Sequence, residues 1–169
     1  MTMNDWRALA ENVRTGLYGA GMAVEQFGYD DLVEGATRSR LNALAVAWLT
    51  STVEADLHKR GIHRPSFRKH VVDVLPEAED PEFNTHRDAP WTSTRRDRCG
   101  ALWGIRIAVT HADLNVSLID DKANRDWARK AGDVFENVTL DGDYLNLMGF
   151  SLYDAIWTIE SLDDPPTGI

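Results

Sequence analysis

The sequence predicts an all-α protein, a bundle of five to six helices with one small β-hairpin near residues 138–147. Two observations support this fold class. Most of the chain consists of long segments in which apolar residues recur with the helical period of 3.6 residues. The one Asp-Gly pair, Asp141-Gly142, lies in a short segment of alternating apolar and polar residues, which is typical of a hairpin. A sheet of four or more strands would contradict this prediction.

Glycines, prolines and capping residues mark the ends of the predicted helices. The second helix runs from about Asp31 to Arg60 and stops at Gly61. Pro65 suits the first turn of a short third helix. An irregular, acidic loop over residues 76–92 leads to the fourth helix, which is capped by Thr92 or Ser93. The six segments predicted to be helical are residues 4–28, 31–60, 65–75, 92–111, 120–132 and 151–162.

We expect one domain over residues 29–164, preceded by an added helix over residues 1–28 and followed by a tail over residues 165–169. A chain of 169 residues can bury enough surface to fold without disulfides. Cys99 is the only cysteine, which excludes an internal disulfide and a cysteine-based zinc finger. Because the sequence has no apolar stretch of about 18 residues and no signal-peptide pattern, we expect a cytoplasmic protein with no role at membranes.

The formal net charge of −9 argues against a protein that coats nucleic acid without specificity. The charge is unevenly distributed. Residues 58–106 hold 10 of the 18 lysines and arginines against 7 acidic residues, a local balance of +3, so the rest of the chain carries −12. This mildly basic region can still receive a phosphate group, whereas most of the acidic residues are better explained as a surface that keeps the protein soluble.

The second predicted helix has one apolar face and one acidic residue on that face. At 100° per residue from Leu41, six apolar residues fall on one broad arc: Leu44, Ala45, Trp48, Leu49, Val53 and Ala55. Asp56 lies in the same arc, whereas Glu54 points away from it. Asp56 is therefore the candidate partner for a buried cation.

The segment "GIRIAVTHAD", residues 104–113, contains the first candidates for function. Arg106 stands among apolar residues, where its permanent charge requires a partner, and His111 can transfer a proton near neutral pH. On a straight helix these side chains point about 140° apart. They meet only if the helix ends before His111 or a second copy of the chain completes the site. Arg95 and Arg98 share the Arg106 face, which predicts a two-fold dimer contact there.

The same segment resembles a known family. "RIAVTHAD" is similar to the signature of HEPN domains, in which a histidine follows an arginine after four intervening residues. A long helix precedes the segment, and a short helix, the turn "DGDYLNL" and a closing helix follow it, so the resemblance covers about residues 31–162. HEPN domains are compact helical bundles that commonly dimerise and often act as metal-independent ribonucleases.

The resemblance implies a metal-independent endoribonuclease that needs no cofactor and cleaves RNA by attack of the ribose 2′-hydroxyl on the adjacent phosphate. His111 would be the general base or acid, and Arg106 would bind the non-bridging phosphate oxygens. Arg95 and Arg98 would bind the substrate, and Asp56 would support the site. The implied partners are RNA, a second copy of the chain and an antitoxin or other regulatory protein, in bacterial phage defence or a toxin–antitoxin pair.

Other interpretations stay open from the sequence. Ile107 stands where active HEPN domains usually carry a polar residue, and Asp113 stands where the toxin subgroup carries a tyrosine. Asp113 argues against regulation by modification of such a tyrosine. Ile107 and the acidic surface favour a non-catalytic HEPN-like module that works through dimerisation or by binding an RNA, a nucleotide or a protein. In a structural interpretation, Arg106 pairs with Asp56 and His111 interacts with the helix dipole. A helical regulator unrelated to RNA would then be the third class.

Overall fold

The computed structural model of the chain describes residues 31–78 and 92–163, together with Ala8, Asn12, Thr15 and Gly16, which are helical. The described residues form a mostly helical fold with one two-stranded antiparallel sheet, as predicted. The elements are α1 (Asp31–Lys59), a π-helical turn (Arg68–Val72), α2 (Arg95–His111), a 3-10 turn (Val116–Leu118), α3 (Lys122–Val134), β1 (Thr139–Asp141), β2 (Tyr144–Asn146), α4 (Leu152–Glu160) and a closing 3-10 turn (Ser161–Asp163). Most of the predicted first helix and the predicted tail lie outside the described residues.

α1 buries a face that overlaps the predicted arc only in part. Ala45, Leu49 and Val53 of that arc are buried. Its core face is centred on Val46, Thr50 and Val53, whereas Leu44 and Trp48 are 49% and 58% exposed. The predicted arc was wrong at Leu44 and Trp48 because apolar residues occupy most of the circumference of this helix, so their period does not identify the side that is covered. Packing against α2 and α4 decides which side is buried.

The third predicted helix is reduced to one π-helical turn. The Asp73 backbone N–H donates to the Arg68 carbonyl, a hydrogen bond that spans five residues and is typical of π geometry. Phe67 and Val72 are fully buried, so this turn is held by its contact with the core. The β-branched valines in this segment have low helix propensity, which is a physical reason why a longer helix does not form.

α2 and α3 cross closely because two glycines of α2, one turn apart, face α3. A Cβ atom on Gly104 would lie 2.3 Å from the backbone nitrogen of Ala128, and a Cβ atom on Gly100 would lie 2.2 Å from the Trp127 ring. Only glycine fits at these approaches. The Thr94 side chain caps α2 by accepting the Asp97 N–H, one or two residues after the predicted cap.

The hairpin packs on the segment that follows α2. Its strands pair in register from Thr139 with Asn146 to Asp141 with Tyr144, and the turn uses Gly142, whose φ is 62°. The Leu145 N–H donates to the Leu114 carbonyl over 2.9 Å. This backbone contact fixes the chain just beyond His111.

Candidate functional site

α2 carries both predicted catalytic residues and stays helical through His111. The chain turns only after this residue, at Ala112, Asp113 and Leu114. The helix therefore does not end before His111, and the two side chains keep directions about 140° apart. The structure does not bring Arg106 and His111 together within one chain.

Arg106 lies at the contact between α1 and α2, where a carboxylate compensates its charge. Its Nη1 atom is 2.8 Å from Glu54 Oε1, and its Cζ atom is 5.3 Å from the centre of the Trp103 ring, within the range of a cation–π interaction. Nη1 is buried and its N–H bonds are not aligned with an acceptor, so the contact with Glu54 is an ion pair. The side chain is 21% exposed, and part of it therefore reaches solvent.

Glu54 makes a second contact with the same oxygen atom. Oε1 accepts the Phe67 backbone N–H over 2.8 Å, so this carboxylate joins α1, α2 and the segment at the π-helical turn. The prediction that Asp56 pairs with Arg106 was wrong. Asp56 Oδ2 lies 2.8 Å from Nε of Arg60, one turn further along α1. The error has the same origin as the misplaced apolar arc, because the true core face turns Glu54 toward α2.

His111 is exposed at the C-terminal end of α2, and its ring makes no hydrogen bond or ion pair with the residues that the structure describes. Two residues later, Asp113 binds Arg40 of α1 in a bidentate pair, with Nε–Oδ1 and Nη2–Oδ2 distances of 2.8 and 3.0 Å. The hydrogen bonds from Arg40 hold the pKa of the Asp113 carboxyl below its usual value. With respect to the described residues, the imidazole is therefore unpaired, beside a chain segment that is fixed to α1.

Arg95 and Arg98 lie in the core and not on an open face, with 1% and 3% of their surface exposed. Arg95 Nη1 donates to the Ser161 carbonyl over 2.6 Å, at the C-terminal end of α4. Arg98 Nε donates to Thr158 Oγ1 over 3.0 Å, and its guanidinium lies 4.7 Å from the centre of the Phe135 ring. The two hydrogen bonds connect α2 to α4 and the turn after it, and the ring contact connects α2 to the end of α3. In the single chain neither guanidinium can reach RNA, so their role in substrate binding stays a prediction that requires α4 to move.

A polar network continues from Arg106 to α3. Trp103 Nε1 donates to Asn124 Oδ1 over 2.8 Å, and Arg68 Nη1 donates to the same oxygen over 2.8 Å. The half-buried Trp103 ring, against which the Arg106 guanidinium packs, is therefore fixed by α3. The network restricts the positions that Arg106 can adopt.

Glu54 is the residue of this site that the sequence prediction missed. A usable signal was present, because Val46, Thr50 and Glu54 follow one another at four-residue intervals and form one stripe along α1. A carboxylate that continues a buried stripe needs a cation or a hydrogen-bond donor. Choosing that stripe as the core face would have pointed to Glu54.

Among the described residues, no group of three or more histidine, cysteine, aspartate or glutamate side chains could hold a metal ion. Within the same part of the chain, no helix combines the length and the apolar character needed to cross a membrane. Comparison with models of known protein families, with curated proteins and with solved structures found no match. The resemblance to HEPN domains therefore depends on the motif and on the order of the elements around it.

Proposed function

We propose that the protein is a HEPN-like, metal-independent endoribonuclease whose site is completed by a second copy of the chain. One observation carries the proposal. A partly exposed arginine, held by a carboxylate, and an exposed histidine stand on the same helix, about 7.5 Å apart along its axis. The first can bind a phosphate and the second can transfer a proton.

In the proposed reaction, His111 accepts the proton of the ribose 2′-hydroxyl as that oxygen attacks the adjacent phosphorus. The bond from phosphorus to the 5′-oxygen breaks, and this oxygen takes up a proton from water as it leaves. Arg106 binds the non-bridging oxygens and stabilises the negative charge that builds up on them. The products are a 2′,3′-cyclic phosphate and a free 5′-hydroxyl. RNA supplies its own nucleophile, so the chain needs no activated serine, threonine or cysteine.

A two-fold axis offers a way to unite the two groups. Within one chain, Arg106 and His111 point to different sides of α2. Where a two-fold axis lies close to α2, Arg106 of one copy can approach His111 of the other, and the same contact occurs twice. The partners in this proposal are RNA, the second copy and an antitoxin or other regulatory protein in bacterial defence.

A second candidate function, a non-catalytic HEPN-like binding module, is favoured by the charges around α2. The Arg106 guanidinium already has a carboxylate partner, and Arg95 and Arg98 are buried in contact with α4. A site with one partly exposed arginine suits a single phosphate or a protein partner better than a long RNA strand. Such a module would bind without cutting.

The decisive experiment is incubation of the pure protein with mixed RNA in EDTA. We expect the wild type to cleave and to leave 2′,3′-cyclic phosphate ends, and the Arg106→Ala and His111→Ala variants to lose at least about 100-fold in rate. The double variant should cleave RNA only slightly more slowly than either single variant, because the two residues act as a unit. His63→Ala, a change at another exposed histidine, is the matched control and should cleave like the wild type.

Mixing two inactive variants tests whether the site is shared between copies. In a mixed dimer of Arg106→Ala and His111→Ala chains, one of the two shared sites keeps both residues. We expect random mixing to restore about a quarter of the wild-type rate. Mixtures that stay inactive, beside an active wild type, would place the whole site in one chain. A wild type that binds RNA but leaves it intact would favour the binding module.

A further inference from the structure

We infer that Glu54 is the positioning residue of Arg106, holding the inner edge of the guanidinium and leaving its remaining atoms accessible to an anion. The first support is the distribution of burial within the arginine. The Nη1 atom, which faces Glu54 Oε1 at 2.8 Å, has almost no contact with solvent. The 21% of the side chain that is exposed therefore belongs to its other atoms.

The second support is that Glu54 is itself fixed. The same Oε1 atom accepts the Phe67 N–H over 2.8 Å, so the carboxylate cannot swing outward without leaving this backbone group unpaired. Phe67 is fully buried, which anchors the donor. The Glu54 side chain is thus held in place by the backbone and is not a mobile side chain at the surface.

The third support is the geometry around the guanidinium. Trp103, held by Asn124, packs against Arg106 on α2, and Glu54 contacts it from α1. Contacts from two elements restrict the side-chain rotation that a free arginine would lose on binding a phosphate. A guanidinium has five N–H donors, and an ion pair at one nitrogen leaves the others for a ligand.

The same geometry argues against the alternative in which Glu54 competes with the anion for Arg106. A competing carboxylate would have to occupy the solvent side of the guanidinium, whereas Glu54 faces its buried nitrogen. Removing the charge of Glu54 should therefore release the arginine and weaken anion binding. A competitor would give the opposite result.

The test is Glu54→Gln, which keeps an oxygen for the Phe67 N–H and removes only the charge. Asp126→Asn, which breaks an exposed pair with Lys122 on α3, is the matched control. Side-chain NMR of arginines labelled with ¹⁵N should show slow rotation of the Arg106 guanidinium in the wild type and in the control, and fast averaged rotation in Glu54→Gln. Thermal unfolding checks that each variant is folded.

The role of Glu54 in the reaction rests on the proposed function and is measured separately, by the kinetics of RNA cleavage. We expect Glu54→Gln to lower kcat for RNA cleavage about 10- to 100-fold with a smaller change in KM. In an Arg106→Ala background the same change should have no further effect, which a general loss of stability would not produce.

Three results for Glu54→Gln would overturn the inference. The first is an Arg106 guanidinium that rotates as slowly as in the wild type, and the second is an unchanged kcat although that rotation has become fast. The third is tighter binding of a non-cleavable 2′-O-methyl RNA. A wild type that cleaves no RNA would instead overturn the proposed function. The guanidinium signals would still decide whether Glu54 holds Arg106.

Discussion

At the scale of single residues, the chain beyond His111 combines unusual backbone angles with a strong ion pair. Asp113 and Leu114 have φ values of 45° and 67°, in the left-handed region that non-glycine residues seldom adopt. Aspartate tolerates this region better than most residues, and the bidentate pair with Arg40 fixes the Asp113 side chain. The ion pair and the hairpin contact at Leu114 hold the turn that follows the candidate histidine.

We predict that Arg40→Gln raises the pKa of Asp113 toward its ordinary value, because the hydrogen bonds from Arg40 are the main cause of the lowered pKa. The folded-state pKa lies below the unfolded one, so the pair stabilises the fold at pH values above the ordinary carboxyl pKa of about 3.9. This contribution is lost as the pH falls through the lowered value. A ¹³C NMR titration of the aspartate carboxyls measures the shift.

Asp126 is the internal control for this titration. Its pKa is lowered by the hydrogen bond from Lys122, in another part of the fold, and should not respond to Arg40→Gln. An Asp113 titration that is the same in the wild type and the variant would show that the pair does not form in solution.

At the scale of elements, close contacts between helices determine the position of α2. Gly100 and Gly104 let α3 approach along one side. On another side, Arg95 and Arg98 donate to acceptors in α4 and in the turn after it. Arginine at a helix C-terminus satisfies carbonyl groups that have no partner within the helix. These residues therefore support the helix that carries the candidate site.

We predict that Gly104→Ala lowers the free energy of unfolding by about 1–3 kcal/mol or more. Alanine should gain up to about 1 kcal/mol over glycine within a helix. That gain is outweighed because the new Cβ would lie 2.3 Å from the backbone of α3, which cannot move as a side chain can. Urea unfolding followed by circular dichroism measures the difference.

Gly132→Ala is the matched control, because a Cβ atom at Gly132 would meet its nearest neighbours at 3.8 Å, an ordinary contact distance. This variant should be as stable as the wild type or slightly more stable. Equal stabilisation by both substitutions would show that α2 and α3 do not cross at Gly104.

At the scale of the whole molecule, the surface predicted for dimer contact is mostly inside the single chain. Arg95 and Arg98 are buried and Arg106 is paired with Glu54, so a dimer must use other residues beside them. α1 leaves Leu44 and Trp48 exposed. Two such side chains alone expose far less area than the roughly 800 Å² per partner of a typical stable interface.

We predict that the protein is a dimer at micromolar concentrations, because the proposed nuclease site needs Arg106 and His111 from different copies. Light scattering coupled to size-exclusion chromatography gives the mass directly, to be compared with 19.0 kDa for one chain. A monomer that cleaves RNA would contradict the shared site. A monomer without activity would contradict both the dimer and the nuclease.

The sequence by itself determined the mostly helical class, the hairpin and the approximate bounds of α2 and α3. Helical period, capping side chains and the Asp141-Gly142 turn act over a few residues, so they can be read along the chain. The prediction of α2 as residues 92–111, observed as Arg95–His111, was therefore close. The sequence also identified Arg106 as a cation that needs a partner, because a permanent charge among apolar neighbours must be compensated.

Only the tertiary structure decided which groups meet. Glu54 and Arg106 are 52 positions apart in the sequence, and their contact depends on which face of α1 turns toward α2. That face is selected by the total buried area of several helices, while the apolar pattern of α1 alone permits more than one choice. The burial of Arg95 and Arg98 was likewise decided by α4 and the turn after it, which contribute their hydrogen-bond acceptors from about 60 positions away.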